Sequence, residues 1–507
     1  MARRRKRSAR DSSASGVIQQ PWAQPVNRFG PISIVSEDGL ESLHQASLRL
    51  LQETGMEILS EDARNRFRKA GAEVDEATAR VRLEADLVEE KITLAPDSFT
   101  LYARNPVHNL IFDDRHLVFT NATVPPYCSD IERGRRSGNY SDFNDLVRLC
   151  QSLNTLHCIY GYPVEPQDLP VGTRHLDAYA SFIRLTDKVW RPTAVAPDSI
   201  RDGIQMAAIS RGIGEAQLAR EPGLITNIST NSPMKLDQPM ADALIEMADA
   251  GQACVIASLA MAGATGPITL EGCLVQQNAE VLAGVVLSQI VRPGAPIVYG
   301  SLATSVHMRS GSPSFGTPEY MKAIIVAGQL ARRYRLPLRS GNVNSSNIID
   351  AQAIYESQMS IWGAVMGGVS LLNFGHGWME SGLCYSFEKM IIDSEMLQMV
   401  SEAMKPLSFQ QDSLGLQAIE EVGPGGHFFA ASQTLERYKD AFYQPMLSDW
   451  SNYEKWVEDG SMDTVQRAHL FWKQLLQDYK QPVLDPSIDE ELSSFVEIRK
   501  QHISSSS

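Results

Sequence analysis

The sequence lacks the short motifs that hold metal ions and metal clusters. Its six cysteines form no CxxC pair and show no repeated spacing, which argues against a disulfide scaffold, a zinc ribbon or an iron–sulfur cluster and suits a reducing compartment. No HExxH or HxH motif is present, so zinc would need His307 and His376 together with a carboxylate. We therefore expect no metal site. The cysteines are Cys128, Cys150, Cys158, Cys254, Cys273 and Cys384.

Signals of covalent hydrolysis are also missing. No serine stands in a GxSxG pattern, and no cysteine has a histidine at a recognisable spacing. We expect no covalent nucleophile, and the catalytic residues stay unassigned. Asp130, Glu165 and Glu380 could act as general acids or bases, but a helix cap or a salt bridge explains each of them more simply.

No uninterrupted apolar run is long enough to suggest a membrane span. The best stretch, residues 253–270, contains two glycines, two threonines and a proline, and its first half is typical of a buried strand. Residues 1–10 hold six of the 46 Lys and Arg, so the rest of the chain carries 40 basic against 60 acidic residues, or −20. Such an acidic body is a poor binder of nucleic acid. We expect neither membrane nor nucleic acid as a partner, and a cytoplasmic location.

What the sequence does contain is a regular alternation of short β-type runs and long helical runs. Eight strand–helix units in about 290 residues are typical of a (β/α)8 TIM barrel of the α/β class. An open doubly wound sheet also alternates, but no GxGxxG follows the first strand and no strand precedes GxxxxGK(S/T). The predicted strands are 117–122, 156–161, 189–195, 224–229, 254–259, 296–300, 338–342 and 369–374.

Other segments flank this predicted barrel. We expect a disordered basic tail at 1–30, an N-terminal cap of helices and a small β element at 31–115, and the barrel at 116–410. A helical extension at 411–500 follows, with a disordered end at 501–507. The extension either packs on the barrel or makes oligomer contacts, and we expect a homo-oligomer.

In a barrel the functional site lies at the carboxyl ends of the strands and in the loops that follow them. Those positions are rich in aromatic and amide side chains. Several aromatic rings around one pocket can hold a quaternary ammonium by cation–π attraction, although each ring alone is more simply core filling. The predicted substrate-binding residues are Tyr127, Tyr160, Asn227, His307, Arg309, Phe315, Asn342, His376, Trp378 and Glu380.

Several segments, in this order and spacing, are similar to those of a known family. They are LLQETG at 50–55 with AGAEVD at 70–75, APDSFTLYARN at 95–105, GTPE at 316–319, GWMESGL at 377–383 and EVGPGGHF at 421–428. From about residue 30 to 485 the chain resembles the trimethylamine methyltransferase family, in the branch without pyrrolysine that includes glycine betaine:corrinoid methyltransferases.

The resemblance implies a TIM barrel that moves a methyl group from an amine to the cobalt of a corrinoid carried by a separate protein, with no tightly bound cofactor of its own. The trimethylamine enzymes carry pyrrolysine after the seventh strand, where this chain has GNVNSS at 341–346. Without that residue, transfer from a tertiary amine is in doubt. The resemblance places Val343, Asn344 and Gly377 toward the corrinoid.

A quaternary amine such as glycine betaine needs no such activation, because it already carries the positive charge and leaves as a neutral tertiary amine. Arg309, Asn342 and His307 are candidate partners for a betaine carboxylate. Two alternatives stay open. The methyl acceptor could be a folate or free cobalamin, or the chain could be a betaine-binding or regulatory protein without catalysis.

Overall fold

A computed structural model describes residues 17–194 and 197–506. Its centre is a barrel of eight parallel strands, each overlapping one of the predicted strands, so the predicted (β/α)8 barrel is confirmed. The sheet order is β3-β2-β1-β8-β7-β6-β5-β4, and a parallel bridge from Trp190 to Leu224 joins its two ends. The strands are β1 (Val118–Asn121), β2 (Cys158–Ile159), β3 (Val189–Trp190), β4 (Ile225–Ser229), β5 (Ala253–Ser258), β6 (Ile297–Ser301), β7 (Leu338–Gly341) and β8 (Leu371–His376).

A helix follows each strand, and most begin at a side chain that accepts a hydrogen bond from the first helical turn, such as Asn139, Asp237 and Thr317. The apolar faces of these helices pack on the outside of the barrel. The helices are Tyr140–Ser152, Arg174–Leu185, Pro197–Arg211 with the short Glu215–Leu218, Gln238–Asp249, Leu270–Val291, Pro318–Tyr334, Ala351–Gly367 and Phe387–Ala403.

One of these helices, Leu270–Val291, is long and apolar enough to cross a membrane by length and composition. Its most apolar window is 83% buried inside the protein, as in a core helix. Gln276, Gln277, Asn278 and Glu280 lie buried along it and make hydrogen bonds to neighbouring elements. Such polar side chains suit a packed protein interior better than lipid.

The N-terminal region covers the outside and the amino-terminal end of the barrel. A hairpin of Phe99–Leu101 and Leu110–Phe112 packs its apolar side chains against the lower interior of the barrel. This hairpin seals that end. The other elements are the helices Glu37–Arg49, Glu61–Lys69 and Ala85–Ile92, the π-helical turn Leu50–Thr54, the 3-10 turn Pro106–His108, and a sheet of Met56–Ile58, Glu73–Asp75 and Arg80–Arg82 that Lys235–Leu236 joins.

At both ends, described residues that we predicted to be disordered instead pack against the barrel. Residues 1–16 lie outside the described part, but Val17 is buried and Asn27 donates a hydrogen bond to the Val365 carbonyl 3.0 Å away. At the other end, the helix Pro486–Ser506 continues through most of the predicted tail. It is held there because Arg499 pairs with Asp202 on a barrel helix.

The C-terminal extension has two parts. The helices Thr464–Gln477 and Pro486–Ser506 pack on the barrel helices. The residues 405–445, which we call the C-terminal arm, contain the short helices Gln411–Leu414, Leu416–Val422 and Ser432–Arg437 and the 3-10 turn Phe428–Ala430, and Tyr453–Glu458 follows them. Most of the arm is exposed.

Loops at the carboxyl ends of the strands form two small sheets around the barrel mouth. The loops after β1 and β8 make one of them, and those after β5 and β6 make the other. The first sheet contains Tyr127–Asp130, Gly134–Ser137, Trp378–Met379 and Cys384–Ser386, with the 3-10 turn Glu380–Gly382 between its last two strands; the second contains Met261–Ala262, Thr304–Val306 and Pro313–Ser314.

Candidate functional site in the barrel mouth

The barrel interior changes character from one end to the other. Because alternate residues of a strand point inward, each strand contributes one or two side chains to the interior. Toward the amino-terminal end these side chains are apolar, and they form one cluster with the sealing hairpin. Toward the carboxyl ends the interior positions are polar or aromatic, which makes the barrel mouth the candidate site. They are Thr120, Tyr160, Arg191, Asn227, Arg339 and Asn373.

Two arginines stand out among these residues. Arg339 on β7 is 1% exposed, and Arg191 directly after β3 is 8% exposed. Neither has a carboxylate within ion-pair distance among the residues that the structure describes. Burial lowers the pKa of both guanidinium groups, since it disfavours the charged form.

The hydrogen bonds of these two arginines go to neutral acceptors. An Nη of Arg191 donates to the Thr123 hydroxyl at 3.2 Å and to the Tyr160 carbonyl at 3.5 Å, and an Nη of Arg339 donates to the Ser301 carbonyl at 3.5 Å. Within the described chain, the Nε atoms of both arginines and the buried Tyr160 hydroxyl have no hydrogen-bond partner.

Aromatic rings lie directly beside the Arg339 guanidinium. Its central carbon is 4.9 Å from the centre of the Phe374 ring, which lies 4.3 Å from the centre of the Trp378 ring. The Phe315 ring meets the Trp378 ring edge-on at 5.9 Å. The predicted residues Phe315 and Trp378 therefore come together, and Phe374 is the ring that sequence reasoning missed.

The backbone at Phe374 is unusual. Its φ is +56°, a left-handed conformation that a bulky side chain rarely adopts, and the pairing of β8 with β1 shifts register between Leu372 and His376. Such a conformation costs about 1–3 kcal/mol and persists only where the surroundings enforce it. The bulge is what turns the Phe374 ring toward Trp378.

Asn342 and His376 are predicted substrate residues that the structure instead places inside packed hydrogen-bond networks. The Asn342 amide donates to the Gly375 carbonyl and to Asp393, both at 3.0 Å. The two ring nitrogens of His376 lie 3.0 Å from the Thr120 carbonyl and from the Thr155 hydroxyl, and burial lowers its pKa to about 3. Both residues support the ends of the strands.

The remaining predicted residues divide into three groups. Tyr160 and Asn227 lie inside the barrel. Tyr127 lies in the small sheet at the mouth and Glu380 in its 3-10 turn, and both contact Arg135. His307 and Arg309 occupy an exposed loop tip, with a His307 nitrogen 2.8 Å from the Ser310 hydroxyl.

The three residues expected to face a corrinoid are buried. Val343 packs in the core, the Asn344 amide donates to the Trp378 carbonyl at 2.7 Å, and the Gly377 amide donates to Asp393 at 2.8 Å. A side chain at Gly377 would collide with the Tyr385 ring. The chain after β7 folds underneath Trp378, so these residues support the site from behind instead of facing outward.

A buried carboxylate, also missed from the sequence, fixes the loop after β4. Glu280 accepts hydrogen bonds from the hydroxyls of Thr230 and Ser232 at 2.5 and 2.8 Å, from the Met234 amide at 2.9 Å and from Gln276 at 2.9 Å. Its position inside a long helical pattern could have indicated a buried carboxylate with hydrogen-bond partners, because a charge is rarely buried without them.

The described residues include no group of three or more His, Cys, Asp or Glu side chains placed to hold a metal ion. All six cysteines are buried and unpaired, and burial raises the pKa of each thiol. Reactive thiolates sit in electropositive, accessible surroundings, which none of these has.

A closed parallel barrel whose polar and aromatic residues gather at the carboxyl ends of its strands has the architecture of a TIM-barrel enzyme. The family described as Trimethylamine methyltransferase (MTTB) matches this sequence over residues 2–504. The chain belongs to that family, and it is a methyltransferase.

Individual relatives agree with this assignment. The chain is 39% identical over 472 residues to a glycine betaine methyltransferase of Desulfitobacterium hafniense (strain Y51), covering 93% of this chain and 98% of that protein. It is 30% identical to a trimethylamine methyltransferase MttB of D. hafniense (strain DSM 10664 / DCB-2), over 93% and 95% of the two chains. The crystal structure of the Methanosarcina barkeri monomethylamine methyltransferase (MtmB) superposes with a TM-score of 0.52 at 12% identity, covering 89% of this chain and 90% of that one, which supports the fold.

Proposed function

We propose that this methyltransferase removes a methyl group from a quaternary amine, glycine betaine or a close analogue, and passes it to the Co(I) of a corrinoid on a separate cytoplasmic protein. The observation that carries the proposal is the cluster of Phe315, Phe374 and Trp378 rings at the mouth. Aromatic faces attract a methylated cation most strongly where water is excluded. The likeness to a glycine betaine methyltransferase points the same way.

The chemistry requires little of the protein beyond placement. The C–N bond breaks with its electron pair remaining on nitrogen, so a quaternary ammonium leaves as a neutral tertiary amine. The methyl group is taken by Co(I), a strong two-electron nucleophile that the partner supplies. The chain then has to orient the methyl group outward, desolvate the cation and exclude water. This fits a mouth where the thiols are buried and His376 is neutral.

The surface around the mouth suits docking of a protein. Large apolar side chains are exposed on the loops that follow six of the eight strands, and we call them the mouth rim. Exposed apolar side chains grouped on one face of a protein are typical of a protein interaction site. The mouth rim consists of Val124, Val171, Ile268, Met308, Ile348 and Leu383.

A spectroscopic assay tests the proposal. Purified protein is mixed with chemically reduced Co(I) cobalamin, or with a corrinoid protein, and with a panel of quaternary and tertiary methylamines. We expect the absorbance of methylated cobalt with a quaternary amine and not with trimethylamine. Methylation of tetrahydrofolate instead would favour the folate alternative. Tight betaine binding with no transfer to any acceptor would favour a non-catalytic binding protein.

We also propose that the chain forms a homo-oligomer through the C-terminal arm. Monomeric proteins rarely expose contiguous apolar patches larger than a few hundred Å². A second copy presents the same surface, so a two-fold contact between two arms is self-complementary. Ten large apolar side chains of the arm are exposed: Leu407, Phe409, Leu414, Leu416, Ile419, Phe428, Phe429, Leu435, Tyr438 and Phe442.

A further inference from the structure

We infer that Arg191 and Arg339 form a carboxylate-binding site at the floor of the barrel mouth, with the Tyr160 hydroxyl as a third donor. The substrate is then a zwitterion whose carboxylate lies deep in the barrel and whose methylated nitrogen lies above it, against Phe374 and Trp378. The inference rests on the proposed function for the methylated end of the substrate. For the anionic end it rests on the two arginines and the Tyr160 hydroxyl.

The two guanidinium groups approach the barrel axis from opposite walls. Arg191 follows β3 and Arg339 lies on β7, four strands away around a barrel of eight. An eight-stranded barrel is just wide enough for its side chains to fill, so inward-pointing arginines on opposite walls meet near the axis. Consistent with this placement, the charges of both arginines act on the Tyr160 hydroxyl.

Both groups end at the open side of the barrel. The Arg191 guanidinium contacts Thr123 in the loop after β1, and the Arg339 guanidinium contacts the carbonyl of Ser301, the last residue of β6. Both contacts place the guanidinium groups at the carboxyl ends of the strands, on the side of the barrel where the mouth lies.

The donors of these side chains are far from satisfied. A guanidinium has five N–H donors, yet Arg339 makes one long hydrogen bond, to a neutral carbonyl. A buried cation without a counter-ion is strongly unfavourable, and proteins place buried charges against an opposite charge. Two such cations with unpartnered Nε atoms, beside an unpartnered hydroxyl, form a preorganised site for an anion with two oxygens.

The distances limit the separation between the two charges of the substrate. The Arg339 guanidinium carbon lies 4.9 Å from the Phe374 ring centre, which lies 4.3 Å from the Trp378 ring centre. A carboxylate held by Arg339 thus has its neighbouring carbon against Phe374 and a nitrogen one or two carbons away near both rings. The nitrogen methyl groups then point out of the barrel.

The same arrangement rejects cations that lack a carboxylate. A quaternary ammonium placed above two guanidinium groups is repelled by both, and a carboxylate on the same molecule removes that repulsion. Choline and tetramethylammonium offer the same methyl groups without the anion. The arginine pair therefore selects betaines in two ways: it attracts their carboxylate, and it repels every methylated cation that has no carboxylate.

Calorimetric titration of the free protein tests the site without any methyl acceptor. We expect glycine betaine to bind at least about 100-fold more tightly than choline, and Arg339→Met to weaken betaine binding about 100-fold, as loss of a charge-assisted pair predicts. Arg339→Lys should retain part of the affinity. The matched control is Arg115→Met, an exposed arginine at the amino-terminal side of the barrel.

Thermal unfolding of the same variants separates binding from packing. If Arg339 serves the ligand, replacing this unpaired buried charge with methionine should leave Tm of the free protein unchanged or raise it, and should abolish the increase in Tm that betaine gives. A packing role for Arg339 predicts a lower Tm instead. Arg191→Met provides an independent second test of the pair.

Three results would overturn the carboxylate site: choline binding as tightly as betaine, a betaine Kd within twofold of wild type in both methionine variants, or no betaine binding at all. The proposed function is judged separately, by methylation of cobalamin. Arginine-dependent betaine binding without methyl transfer would support the site and remove the proposed reaction. Methyl transfer from choline and betaine at equal rates would support the proposed reaction and remove the carboxylate site.

Discussion

The ring centres of Phe374 and Trp378 lie 4.3 Å apart, with their planes inclined by 42°. Phe374 comes from the bulge at the end of β8, and Trp378 from the first residues of the small sheet that follows. The bulge and the sheet together create one aromatic surface from two residues only four positions apart. No regular strand could do this, since residues i and i+4 of a strand lie more than 12 Å apart at about 3.3 Å per residue.

This aromatic surface should recognise charge as well as shape. Phe374→Leu keeps much of the apolar bulk but removes the π face, so we expect glycine betaine to bind about 10-fold more weakly. Its carbon isostere 3,3-dimethylbutanoate keeps the carboxylate but lacks the positive charge, so its binding should weaken much less. Both affinities can be measured by calorimetry, with Phe99→Leu in the sealing hairpin as the control. Equal losses for the two ligands would mean that Phe374 acts by packing alone.

Buried His376 should make the protein sensitive to acid. Its pKa is about 3 in the folded protein and about 6.5 when unfolded, so between these values the unfolded chain binds a proton that the folded chain does not. Stability therefore falls as the pH drops below 6.5, by about 2 kcal/mol between pH 7 and pH 5 from this residue.

Urea unfolding at the two pH values measures that difference. His376→Gln should reduce the loss of stability between pH 7 and pH 5 by about 2 kcal/mol, whatever its effect at pH 7. His307→Gln, at the exposed loop tip, should leave the loss as in wild type. An unchanged acid sensitivity in His376→Gln would show that other groups dominate it.

The mouth rim should matter for a protein acceptor and not for a small one. Met308→Asp and Ile348→Asp place charges on exposed apolar positions of two neighbouring loops. With a corrinoid protein that accepts methyl groups from the wild-type chain, we expect KM for that protein to rise about 10-fold or more, as expected when a charge is placed in an apolar contact. Transfer to free Co(I) cobalamin and the betaine Kd should not change.

Val107→Asp supplies the control for that experiment, because Val107 is equally exposed but lies beside the sealing hairpin at the opposite end of the barrel. If this variant impaired the protein acceptor as much as the rim variants do, the docking surface would have to lie elsewhere.

The C-terminal arm should control the oligomeric state. Phe429 and Phe442 are among the most exposed aromatic side chains described. Replacing both with serine should lower the mass measured by light scattering to that of one chain, because the apolar contact between copies is lost. Val483→Ser, an exposed apolar position outside the arm, should keep the wild-type mass. A monomeric wild-type protein at micromolar concentration would contradict the proposal at once.

The barrel could be predicted from the sequence because each of its strands is a short apolar run followed by a longer helical run. That pattern is local, and the eight strands fall where the periodicity places them. Phe315 and Trp378 were also predictable, since aromatic residues after barrel strands gather at the mouth. The packing of Val17 and Asn27 was not, because it depends on contacts with distant segments.

The arginines were harder to predict for a physical reason. Arg339 lies inside a predicted strand, and only the register decides whether such a residue faces the interior or the surrounding helices. A charge within an otherwise buried strand was nevertheless a usable signal. The placement of Val343 and Asn344 could not be predicted from the sequence. The path of the chain after its strand depends on the residue that it packs against, which here is Trp378.

Under the proposed function, the small substrate and the protein acceptor share the barrel mouth, because the sealing hairpin closes the amino-terminal end. A protein docked on the mouth covers it, so the small molecule cannot enter or leave past that protein. The substrate therefore binds before the acceptor protein. Its demethylated product stays enclosed until that protein dissociates. The binding order would then follow from steric access to the mouth instead of from affinity. Dissociation of the two proteins would limit the rate of turnover.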